Sequence, residues 1–126
     1  SSSSGSSPPS GASKDTARTA PAGWPPHRDR GTDVAALEGF RADGSARYTT
    51  FWLALTDATP STSCLMAVPR ARDPGYSAGD SGVSPLTAIF RDPEAFQHIR
   101  ALPMVAGGLV AFSHRLLHWG SAADPR

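Results

Sequence analysis

Large hydrophobic side chains are absent from the first stretch of the chain and then arrive in short runs. Residues 1–23, SSSSGSSPPSGASKDTARTAPAG, consist mainly of serine, glycine, proline, alanine and threonine, too little apolar surface to offset the entropy of ordering the backbone. They are expected to form a disordered lead-in, which leaves 24–126 as a single domain. Within it RYTTFWLAL (47–55) has β-branched and aromatic residues at strand density, and CLMAV (64–68) follows the turn-rich TDATPSTS. LTAIF (86–90) and GGLVAF (107–112) are also of strand length, separated from their neighbours by glycine- and proline-rich text.

One segment has the other period. In RDPEAFQHIRAL (91–102) Asp92 can cap, Pro93 suits the first helical position, and Ala95, Phe96, Ile99 and Leu102 recur at helical spacing. The pattern therefore predicts a mostly β fold, a sandwich or barrel, with one short helix. The loop 69–85, PRARDPGYSAGDSGVSP, reads either as a lid over a site or as a solvated connection.

Composition narrows the function classes. Twelve basic and eleven acidic residues leave a net charge of +1, only Lys14 is lysine, and the arginines are scattered. That is not the footprint of a nucleic-acid binder. The single cysteine, Cys64, rules out an intramolecular disulfide and a cysteine-built zinc site and reads as a small buried residue. No apolar run reaches the roughly 18 residues of a membrane span, so a soluble protein of the cell interior is expected.

The chemistry is concentrated in GWPPHRDR (23–30). In an extended segment alternate side chains share a face, so His27 and Asp29 project together while Arg28 points away. An imidazole and a carboxylate are two thirds of a facial two-histidine, one-carboxylate set, which leaves positions open on Fe(II) for a co-substrate and dioxygen. A third ligand would come from far along the chain, where FSHRLLHWGS (112–121) offers His114 and His118; His98 lies in the expected helix. Taken alone, His-x-Asp is also what a solvated loop presents.

Three blocks in order carry a resemblance. GWPPHRD (23–29), FWLALTDATPSTSCLMAVPRARDPGY (51–76) and PMVAGGLVAFSHRLLHWGSAADPR (103–126) resemble the phytanoyl-CoA dioxygenase family of Fe(II)- and 2-oxoglutarate-dependent oxygenases. The resemblance implies a double-stranded β-helix, a jelly-roll or cupin-like fold. It implies His27, Asp29 and His118 as iron ligands, His118 being preferred because it directly precedes WGS, with His114 as the alternative. It also implies an arginine after the distal histidine that clamps the far carboxylate of 2-oxoglutarate, since the guanidinium fork matches a carboxylate; Arg126 is the candidate here. Trp52, with Thr50 on the same strand face, and Ser121 are expected to flank the co-substrate. Asp57 in TDATP is expected to bond a turn, and Arg70 and Arg72 to be solvated or to meet an anionic substrate.

A jelly roll has about eight strands, more than the runs counted here, so an incomplete member is expected. The implied reaction hydroxylates a small, acyl or lipid-like substrate with dioxygen while 2-oxoglutarate becomes succinate and CO2. Two other classes remain: a jelly-roll binding module in which His27 and Asp29 only line a pocket, and a zinc hydrolase with the same ligands.

Overall fold

The computed structural model describes residues 23–30, 38–80 and 84–123; the expected lead-in, apart from Gly23, lies outside them. Among the described residues five strands form two small antiparallel sheets. β1 (Thr49–Leu53) pairs with β4 (Leu109–Ser113), with Thr50 opposite Phe112 and Trp52 opposite Val110. β2 (Leu65–Ala67) is central to a second sheet, between β3 (Arg100–Leu102) and β5 (His118–Gly120).

Alternation explains the first sheet. Along β1 Thr50 and Trp52 are half-buried while Thr49, Phe51 and Leu53 face solvent, and β4 turns Val110 and Phe112 inward in the same way. The inward face meets the second sheet where the Phe112 ring lies edge-on to His118, centroids 4.6 Å apart. The outer face is apolar yet open, with Phe51 68% and Leu109 59% exposed.

Beyond β2 the chain makes a 3-10 turn at Arg70–Arg72 and two short helices, α1 (Gly75–Ala78) and α2 (Pro85–Ile89). LTAIF is therefore helical, not a strand as its apolar run suggests. Pro85 stands at the start of the helix, and Leu86, Ile89 and Phe90, three and four apart, lay one face on Val68, Leu117 and Trp119. A five-residue apolar run carries no period that separates the two conformations.

The expected helix at 91–102 is also corrected. Asp92 does cap, accepting from Ala95 N at 3.0 Å, but the turn is 3-10 and covers only Pro93–His98. Arg100–Leu102 becomes β3 because its backbone pairs with β2 in the register Leu65↔Leu102, a tertiary ladder that outweighs the helical spacing of its side chains. From the loop 69–85, of which 81–83 lie outside the described residues, Asp73 and Asp80 reach Arg28 of the His27 segment.

At the other end of that segment Gly23 packs on β5. A Cβ there would sit 2.4 Å from Gly120 O and 2.7 Å from Ala122 N, so only glycine lets the backbone approach this closely. No helix among the described residues is long and apolar enough to cross a membrane.

Candidate metal centre

Two prolines precede His27, where they restrict the backbone and offer no amide donors. At His27 the segment forms an antiparallel bridge with His118, the first residue of β5. His27 N donates to His118 O at 2.9 Å and His118 N to His27 O at 3.1 Å. The two histidines are thus a directly opposed pair, which places both side chains on one face, and their ring centroids are 4.3 Å apart. Asp29 follows two residues later, its amide donating to His114 O at 3.1 Å.

Three donor atoms converge as a result. His27 Nε2 and His118 Nε2 each lie 3.5 Å from Asp29 Oδ1, and one donor atom from each residue falls within 4.8 Å of the others. Each ring is held by its other nitrogen: His27 Nδ1 is 2.8 Å from Pro25 O and His118 Nδ1 is 2.9 Å from Leu116 O. A carbonyl oxygen only accepts, so Nδ1 is assigned the proton and each Nε2 keeps its lone pair for the cluster. The second carboxylate oxygen, Asp29 Oδ2, accepts from Thr50 Oγ1 on β1.

This donor set fits a divalent first-row metal. Two neutral imidazole nitrogens and one carboxylate oxygen are borderline to hard ligands, suited to iron, manganese or zinc. Donors about 2.1 Å from one ion and at right angles would be about 3 Å apart, close to the 3.5 Å observed. Beside the histidines opens a cavity of about 480 Å³ whose walls include Trp24, Trp52, Leu65 and Trp119. The aromatic walls keep one side of the donor cluster apolar.

Arg28, between two of the donors, turns to the opposite side and is buried. Its guanidinium bonds Asp73 through Nη1 at 2.5 Å and Nη2 at 2.8 Å, Asp80 through Nε at 2.9 Å, and Arg115 O at 2.7 Å. Burial alone would lower the Arg28 pKa, but hydrogen bonds and charge from Asp73 and Asp80 outweigh it and hold the pKa above its ordinary value. Arg115, fully buried, donates to Gly75 O at 2.8 Å and Arg30 O at 2.7 Å. Gly75 is required here, because a Cβ would lie 2.3 Å from Asp80 Oδ1. The network fastens the donor segment to α1 and to the turn before β5.

The remaining sequence candidates lie as follows. His114 is buried outside the donor cluster, its Nδ1 3.1 Å from Tyr48 O. His98 ends the 3-10 turn, away from the cluster. Asp57 bonds a turn as expected, its Oδ1 accepting from Ala106 N at 2.8 Å. Trp52 lines the cavity. Ser121 joins two segments, accepting from Cys64 N at 3.1 Å and donating to Pro60 O at 3.2 Å. Arg70 packs over the Tyr76 ring, Arg72 is exposed, and Arg126 lies outside the described residues. Sequence reasoning missed Arg28, Asp73, Asp80 and Arg115. The available signal was an aspartate at either end of the turn-rich DPGYSAGD.

A family model for phytanoyl-CoA dioxygenase (PhyH) matches residues 12–125. The chain belongs to the PhyH family. Its three-donor cluster stands in a member of a family of dioxygenase-type enzymes, and membership implies a cupin-like fold and supports dependence on iron and 2-oxoglutarate. Searches of curated proteins and of solved structures returned no match to this PhyH-family chain.

Proposed function

We propose that this PhyH-family chain is an Fe(II)- and 2-oxoglutarate-dependent dioxygenase that hydroxylates a small, acyl or lipid-like organic substrate. The observation that carries the reading is the convergence of His27 Nε2, His118 Nε2 and Asp29 Oδ1. In this reading those three side chains are the iron ligands, and the two sheets are part of a jelly roll built around them. Bound iron would supply dioxygen activation coupled to conversion of 2-oxoglutarate to succinate and CO2.

The chain's own residues do the rest. Pro25 O and Leu116 O keep both imidazoles in the tautomer that presents Nε2. Trp24 and Trp52 line the cavity next to His27 and His118, where they limit water around the reacting groups. Trp52 and Ser121 are read as flanking the co-substrate and Arg126 as its carboxylate clamp.

The test is anaerobic addition of Fe(II) and then 2-oxoglutarate to the purified chain, followed by oxygen. A visible charge-transfer band and then succinate are expected. A folded chain that binds Fe(II) yet produces neither would contradict catalysis and favour a non-catalytic metal-binding module.

A further inference from the structure

Thr50 sits on the inward face of β1, directly opposite Phe112 of β4. The two members of this cross-strand pair touch two different donors. Thr50 Oγ1 donates to Asp29 Oδ2, and the Phe112 ring packs edge-on against His118. One rung of the two-stranded sheet therefore bears on the carboxylate and on the distal imidazole together. Trp52, one alternation further along β1, lines the adjoining cavity.

A carboxylate on a side chain with two free torsions can offer a metal either oxygen or both. Here the choice is removed. With Oδ2 held by the hydroxyl, Oδ1 is the oxygen left facing His27 Nε2 and His118 Nε2 at 3.5 Å. The side chain of Asp29 is 29% exposed, so without the hydroxyl water can compete for it and the carboxylate can rotate. We infer that Thr50 is a positioning residue that fixes Asp29 as a one-oxygen metal ligand. The inference rests on the metal reading of the donor cluster and deepens it: the site's affinity is set partly by a residue that never touches the ion. A second coordinated oxygen would also take up one of the positions that a facial set leaves open.

The experiment compares Mn(II) binding by calorimetry in wild type, Thr50→Val, Thr50→Ala and Thr50→Ser, with the thermal midpoint of each metal-free chain measured alongside. Loss of an outer hydrogen bond to a ligand typically weakens metal binding about 10- to 100-fold. Thr50→Val and Thr50→Ala are expected to show that loss, and Thr50→Ser, which keeps the hydroxyl, to remain within a few-fold of wild type. A purely structural role for Thr50 would lower the metal-free midpoint instead and leave the affinity of the folded chain unchanged. Wild-type affinity in whichever of the Val and Ala variants folds overturns the inference while leaving the metal reading intact. Absence of Mn(II) binding by the folded wild type overturns both.

Discussion

Two clusters of charged and polar side chains grow from the same three residues and are built on opposite principles. On one side of the segment, Arg28 meets Asp73, Asp80 and a backbone carbonyl, so that donors and acceptors answer one another in a buried setting. On the other, His27, Asp29 and His118 turn lone pairs toward a common point at 3.5 Å, longer than a good hydrogen bond. The first arrangement matches donors to acceptors. The second is held from behind, by Pro25 O, Leu116 O and Thr50, and leaves its acceptors for something else. Polarity alone does not mark a functional site; acceptors converging without donors do.

The largest effect is expected from breaking the matched side. Arg28→Met leaves Asp73, whose side chain is fully buried, without its main partner. Removing one member of a buried ion pair costs about 3–5 kcal/mol, and urea unfolding should show a loss of stability of that size. On the open side His27→Ala should cost the metal-free chain about 1 kcal/mol, because a partly exposed side chain loses one hydrogen bond to Pro25 O and its ring contacts with Trp24 and His118. Similar destabilisation by the two substitutions would erase the contrast.

Away from both clusters the effects shrink. Phe51→Thr, on the exposed face of β1, should change stability by about 0.5 kcal/mol or less and raise solubility by reducing an open apolar patch. The smallest signal is at the Arg41–Ala46 turn. There Ser45 donates to Asp43 through its hydroxyl and then its amide and holds that carboxyl below its ordinary pKa. A depressed folded pKa stabilises the turn above the ordinary carboxylate pKa, and the benefit is lost as pH falls through the folded value. Carboxyl NMR titration should find the Asp43 pKa moved back up in Ser45→Ala.

The two sides were not equally legible in the sequence. His27 and Asp29 could be paired from their two-residue spacing, but His114 and His118 could not be separated without the resemblance. Backbone register distinguishes them: His118 is bridged to His27, whereas His114 turns to Tyr48 O. Arg28 was readable only as pointing away, because its partners stand 45 and 52 residues along the chain, and no local period encodes a contact that distant. Thr50 showed its strand face but not its bond to Asp29. The strand Thr49–Leu53 falls inside the run that β-branched and aromatic density marks, Leu65–Ala67 inside CLMAV, and Leu109–Ser113 begins in GGLVAF and extends one residue past it. LTAIF is too short an apolar run to carry a period, and at Arg100–Leu102 the ladder to β2 outweighs helical spacing, so in both places the packing partners decide the conformation.

The central claim is that His27, Asp29 and His118 together hold a metal ion, and it is tested most directly by Fe(II) binding under anaerobic calorimetry. The wild type should bind one ion per chain, and His27→Ala, Asp29→Ala and His118→Ala should each abolish that binding or weaken it about 100-fold or more, with folding of each variant verified by circular dichroism. One-to-one binding that survives unchanged in any folded variant of the three, or no binding by the folded wild type, would contradict the account.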